Sequence, residues 1–215
     1  MMVLPEPKDR WDPRWSCLLV VDAQNDFISP KGSAAHSGLD VAAVLDMAPR
    51  LVRFIAAARR TALPIIYIKT LHGEWTDSPS WVRRMPEEKV LSTCREGSWG
   101  AEFYDGIVPR ADERVVVKHR YSAFIETDLN TVLRARGIES VIITGVTTNV
   151  CVETTARDAY GYDHYVTLVE DCVAAYDPRL HDATLTNMRR HFGLVASAEE
   201  IVEAWRTQQK KAAGL

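Results

Sequence analysis

The sequence predicts an α/β fold, a mainly parallel sheet with helices on both faces. Short β-like runs alternate with stretches of helical spacing along the chain, the pattern of successive βαβ units. The runs are continuous apolar segments, as expected of strands covered on both sides. At 215 residues and 47% hydrophobic composition, the chain is long enough for one substantial core. One domain over 1–215, with an N-terminal extension at 1–14, is the expected organisation.

The elements follow in order. SCLLVVDA (16–23) is the first run. A helix over 41–60 carries Val44, Leu45, Ala48, Leu51, Val52 and Ile55 at helical spacing. PIIYIKT (64–70), opened by proline, is the second run, and 71–100 is a polar, tryptophan-bearing loop with room for short helices. VVVK (115–118) is the third run. Thr127 or Asp128 caps a helix to Arg136, which Gly137 stops. SVIITG (140–145) precedes a helix over 149–160 that Gly161 ends, and YVTLVED (165–171) is the fifth run. A helix over 178–191 leads to a weak sixth run, FGLVA (192–196). Ser197 then caps a last helix bearing Ile201, Val202 and Trp205.

Formal net charge is −3, with charges of both signs interspersed. That argues against a nucleic-acid or anionic-membrane surface. Arg59–Arg60, Arg83–Arg84 and Arg189–Arg190 read as solvated helix faces. The start, MMVLPEPKDRW, is polar and proline-rich, unlike an export signal. No apolar stretch is long enough to cross a bilayer. Cys17, Cys94, Cys151 and Cys172 form no C-x-x-C pair. A cytoplasmic protein with free thiols is expected.

In open α/β sheets, ligands sit beyond the carboxyl ends of the strands, near the topological switch point. Three chemical groups fall there. Asp22 ends the first run, where partial desolvation makes a carboxylate a better base; alone, it equally suits loop-tying, a role better matched by Asp26. Lys118 ends the third run, where an ammonium is costly unless paired, though a lone lysine can snorkel to water. Cys151 follows the fourth run, in the first turn of a helix. The helix dipole there lowers a cysteine's usual value of about 8.5 by roughly a unit or more, and free N–H groups can hold an oxyanion. Position alone leaves Cys151 balanced between nucleophile and inert buried thiol. Together the three fit nucleophilic catalysis: a base, a cation and a thiol.

These segments resemble the isochorismatase-like cysteine hydrolases. VVDAQNDF (20–27), VVVKHRYSAF (115–124) and ITGVTTNVCVETTARDA (143–159) match the family's aspartate, lysine and cysteine segments in order. The resemblance implies a three-layer α/β/α fold with a six-stranded parallel sheet, order 3-2-1-4-5-6, and a triad of Asp22, Lys118 and Cys151. It implies a cis peptide between Val146 and Thr147, which brings the Thr147 and Cys151 N–H groups together as an oxyanion hole. Members without the cysteine hydrolyse vinyl ethers, and Cys151 argues against that branch. Nicotinamidases carry a metal-binding D-x-H segment; TLHGEWTD (70–77) has no such spacing, so lone His72 reads as a loop or pocket residue and no metal or other cofactor is expected.

Within the family, SPSW (78–81), GSW (97–99), KHRYSAF and TNVCVETTARDA look most like the ureidoacrylate amidohydrolases and their relatives acting on biuret, triuret and N-carbamoyl compounds. EDCVAAYDP (170–178) lacks the His-Gln-Ala-Gly sequence of the ureidoacrylate enzymes, so the resemblance implies the branch and not one substrate. The alternatives are a nicotinamidase-like or other small-amide hydrolase, or a catalytically silent scaffold. A thiol redox protein would need a resolving cysteine. Gln24, Phe27, Trp75, Trp81, Tyr121 and Tyr176 are the candidate substrate-binding residues; Cys17, Cys94 and Cys172 read as structural. The expected partner is a small amide or ureido molecule, with no nucleic acid or membrane, in a homodimer or homotetramer.

Overall fold

The computed structural model describes residues 3–4 and 6–212. Met1, Met2, Pro5 and residues 213–215, parts of the domain expected over 1–215, lie outside the described residues. After a 3₁₀ turn at Pro7–Trp11, β1 (Ser16–Val21) leads through α1 (Asn25–Ile28) and α2 (Ser33–His36) to α3 (Ala42–Arg60) and β2 (Ile65–Thr70). The long loop that follows carries α4 (Pro79–Val82) and α5 (Glu87–Ser92) before β3 (Arg114–Lys118). Then come α6 (Leu129–Ala135), β4 (Ser140–Val146), a π-helical turn at Thr148–Val152, α7 (Glu153–Gly161) and β5 (Tyr165–Ala174). α8 (Pro178–Asn187), a second π-helical turn at Met188–Phe192, β6 (Leu194–Ala196) and α9 (Ala198–Ala212) follow.

The strands form one sheet in the order β3-β2-β1-β4-β5-β6, parallel throughout. β1 is buried along its whole length because both of its faces are covered. Leu18 and Val20 point into a core shared with Val44, Leu51 and Phe54 of α3 and with Ile201 and Trp205 of α9. Cys17, Leu19 and Val21 point the other way, against Leu129 and Leu133 of α6, Ala156 and Ala159 of α7, and Leu185 of α8. The continuous apolar runs thus feed two helix layers at once, which gives the three-layer architecture.

Local chemistry sets the helix ends. Thr127 Oγ1 accepts the Leu129 N–H at 3.2 Å, whereas the Asp128 side chain makes no cap bond. Ser197 Oγ accepts the Glu200 N–H at 3.2 Å and Glu200 Oε2 accepts the Ser197 N–H at 2.7 Å, a reciprocal capping box. Two elements depart from expectation. β5 runs on to Ala174, with a register shift against β4 between Ile143 and Gly145. The helix expected over 149–160 begins as a π-helical turn, because the N–H groups of both Val150 and Val152 bond Thr147 O; the second of these spans five residues, the π-type spacing. The segment expected as an N-terminal extension is built into the core: Trp11 is buried, and its Nε1 donates to Thr167 Oγ1 at 3.0 Å. Among the described residues, no helix is long and apolar enough to cross a membrane.

Candidate active site

The chain passes from β1 outward to β2 and β3, then returns to β4 on the other side of β1. That reversal opens a crevice at the carboxyl ends of β1 and β4, where such sheets bind ligands. Asp22 lies one residue past β1, Thr70 and Lys118 end β2 and β3 as register partners, and Cys151 sits in the π-helical turn after β4. The approach requires Gly145. Its φ is +103°, and a Cβ there would lie 1.9 Å from Val21 O; only glycine tolerates both. The peptide between Val146 and Thr147 is cis.

Asp22, Lys118 and Cys151 form one buried cluster. Lys118 Nζ donates to Thr70 Oγ1 at 2.7 Å and Arg120 O at 3.0 Å, and lies 3.6 Å from Cys151 Sγ. An ammonium has three N–H bonds, and these acceptors together with Asp22 surround it completely. Asp22 Oδ2 lies 2.8 Å from Nζ as a buried ion pair, and no other group reaches that oxygen with a hydrogen bond among the described residues. Thr70 Oγ1 donates to Asp22 Oδ1 at 2.9 Å, so Thr70 ties base to cation. Asp22 Oδ2 therefore keeps a lone pair available, and the Cys151 thiol is within hydrogen-bond reach of Asp22.

The titration of the thiol is opposite to the sequence expectation. Burial pushes Cys151 up to about 12; the nearby Lys118 ammonium pulls it down, but the Asp22 carboxylate opposes that pull. The physical reason is charge balance. The Asp22–Lys118 pair is already neutral, so a thiolate would be an extra buried anion, costly in a low-dielectric site. One turn of helix dipole does not offset it. Burial alone would lower the Lys118 value; the charge of Asp22 leads the contributions that outweigh it and hold it above the ordinary lysine value.

A cavity of about 490 Å³ opens over Cys151. Phe27, Trp81, Tyr121 and Tyr176 line it, as do Thr147 and Cys151. No acceptor takes the Thr147 N–H among the described residues. Two of the expected wall residues lie elsewhere. Gln24 is buried behind the site, where Nε2 donates to Thr70 O and Ala101 O and Oε1 accepts the Thr70 N–H; every strong hydrogen-bonding group of its amide is used to hold the end of β2. Trp75 is 99% exposed and outside the cavity. Asp26 ties loops, accepting the Ser33 and Cys94 N–H groups. Cys17, Cys94 and Cys172 are buried and free.

Sequence reasoning missed Thr70, which bonds both Asp22 and Lys118, and Asn149 and Arg84, which line the cavity. Arg84 has the exposed position expected of it and also lines the cavity, its guanidinium carbon 3.4 Å from the centre of the Trp81 ring. A threonine at a strand end and an arginine in a polar loop carry no signal that separates them from ordinary neighbours. His72 is a cavity-lining, buried residue, pushed down to about 4 by its burial. Among the described residues, no group of three or more His, Cys, Asp or Glu could hold a metal ion.

Fold and site together define a parallel α/β protein with a cysteine-centred cluster at its switch point. The family described as the isochorismatase domain matches residues 16–200. A ureidoacrylate amidohydrolase of Methylobacterium radiotolerans is 32% identical over 225 aligned residues, 98% of this chain and 86% of that protein. Among solved structures, a cysteine hydrolase from Pseudomonas syringae pv. phaseolicola 1448A superposes with a TM-score of 0.82 at 27% identity, over 91% of this chain and 94% of that one. N-carbamoylsarcosine amidase from Thermoplasma acidophilum gives 0.69 at 31% identity, over 86% and 96%. The chain belongs to the isochorismatase family of hydrolases.

Proposed function

We propose that this chain is a cysteine amidohydrolase. It hydrolyses a carbon–nitrogen bond, other than a peptide bond, in a small linear amide or ureido compound of the ureidoacrylate, biuret, triuret or N-carbamoyl type. The observation that carries the reading is the buried contact of Lys118 Nζ with Cys151 Sγ at 3.6 Å and Asp22 Oδ2 at 2.8 Å, on the floor of a cavity of small-molecule size. The likeness to the ureidoacrylate amidohydrolases and to N-carbamoylsarcosine amidase supports the substrate class.

With its titration raised to about 12, Cys151 rests as a thiol at neutral pH. Its proton therefore moves to Asp22 Oδ2 as sulfur attacks, not before. Sulfur bonds the carbonyl carbon, and the displaced π pair becomes an oxyanion held by the Thr147 and Cys151 N–H groups. Lys118 and Thr70 keep Asp22 aligned. The carbon–nitrogen bond then breaks, and the leaving nitrogen takes the proton from Asp22 and departs as ammonia or an amine. What remains on Cys151 is a thioester or thiocarbamate. Water attacks it, giving a proton to Asp22 that returns to sulfur when the carbon–sulfur bond breaks.

The test is ammonia release over ureidoacrylate, biuret, triuret and N-carbamoyl amino acids, comparing wild type with Cys151→Ala and Cys151→Ser. Turnover falls by on the order of 10⁴-fold with circular dichroism unchanged. A folded variant that keeps its activity overturns the proposal.

A further inference from the structure

The charges lining the cavity say what else the substrate carries. Lys118 is neutralised by Asp22, and Asp177 pairs with Arg179. Asp40 sits at the exposed rim, where Oδ1 accepts the Ala42 N–H. Arg84 and Arg120 remain, and among the described residues neither meets a carboxylate. Arg120 is used in holding its own loop, donating to Thr76 O, His119 O and Ser78 Oγ.

Arg84 differs. Its guanidinium stacks on Trp81, Nε donates to the Tyr121 hydroxyl at 2.9 Å, and one Nη1 hydrogen goes to Trp81 O. Among the described residues its partners, like those of Arg120, are neutral, but only two of its N–H bonds are taken. A guanidinium has five N–H bonds in a fixed fork, so among the described residues the Nη2 edge remains for a planar anion. Stacking and the Tyr121 bond fix the fork before any ligand arrives, which lowers the ordering cost of binding.

A second observation points to a polar ligand at the same indole. The His72 ring lies 5.1 Å from the Trp81 ring. It is buried and lines the cavity, and its Nδ1 has no hydrogen-bond partner among the described residues. A buried polar atom left unpaired is costly, and a ligand atom in the cavity would satisfy it.

We propose that Arg84, stacked on Trp81 and aligned by Tyr121, binds a carboxylate of the substrate, so that the enzyme selects a ureido acid over a neutral amide. The inference rests on the reading that a ureido carbonyl meets Cys151. It adds the other end of the molecule: an anionic group held at the Trp81 wall, and His72 facing the polar atoms there.

The experiment measures binding rather than turnover, so that it stands apart from the nucleophile question. In the Cys151→Ala background, calorimetry compares 3-ureidopropionate with the neutral biuret. The ureido acid binds more tightly, and Arg84→Gln lowers the ratio of the two affinities by about 10- to 100-fold, the scale of a charge-assisted contact; Arg84→Lys restores part of it. A purely structural Arg84 would weaken both ligands together and leave the ratio unchanged. An unchanged ratio, equal affinities before mutation, or no binding of 3-ureidopropionate each overturns the proposal. Failure of the cysteine mechanism would instead appear as activity surviving in Cys151→Ala.

Discussion

At the scale of the residue, the site turns on how one thiol is protonated. Position after a strand argued for a stabilised thiolate, but the neutral Asp22–Lys118 pair makes a thiolate surplus charge in a buried place. The sign is definite. With its value raised to about 12, the thiol loses its proton only as pH rises far above neutral. Labelling of the resting enzyme by iodoacetamide at Cys151, followed by intact mass, therefore accelerates about tenfold per pH unit from 7 to 10, without levelling off. A plateau reached by pH 8 would show a thiolate already formed. The three reacting groups were legible because each is a polar residue closing an apolar run, where burial demands a reason. Thr70 closes a run too, but threonine is at home in strands, so its bonds to Lys118 and Asp22 carried no trace.

At the scale of the element, alternation of runs and helical spacing sufficed for strands, helices and two covered faces. The order of strands came only with the family resemblance, since alternation does not say where the chain reverses. The π-helical turn was invisible, because apolar spacing barely separates one wide turn from an α-helix. What a sequence hides in a glycine is equally local. Gly145 has φ +103° and faces Val21 O across the β1–β4 pairing, whereas Gly161, at the end of α7, has open space around its would-be Cβ. Gly145→Ala costs about 2–4 kcal/mol or prevents folding, since β4 must shift from β1. Gly161→Ala is neutral or adds about 0.4–1 kcal/mol by restricting the unfolded chain. Urea titration measures both, and equal stability of the two variants would refute the close-approach argument.

At the scale of the whole molecule, one side chain joins the two ends of the sequence. Trp205 of α9 stacks on Phe54 of α3, ring centroids 5.3 Å apart, and its Nε1 donates to Trp11 O at 2.7 Å. Trp11 in turn bonds Thr167 in β5. The N-terminal segment, α3 and α9 are thus held in one layer, packed with Leu18 and Val20 of β1 in the same core. Helical spacing placed Trp205 inward, but Trp75, in a loop without period, offered no such guide and is fully exposed instead of lining the cavity. The same substitution separates them. Trp205→Ala leaves a large void and an unpaired carbonyl and lowers stability by about 3–5 kcal/mol, read as a loss in chemical denaturation. Trp75→Ala stays within about 0.5 kcal/mol of wild type. The cavity lies at the opposite ends of the strands from the loop that carries Trp11, so Trp205→Ala at a temperature where it stays folded keeps its ureido-compound kcat. A drop in kcat at full native signal would mean that this layer, and not the strand ends alone, sets the geometry around Cys151.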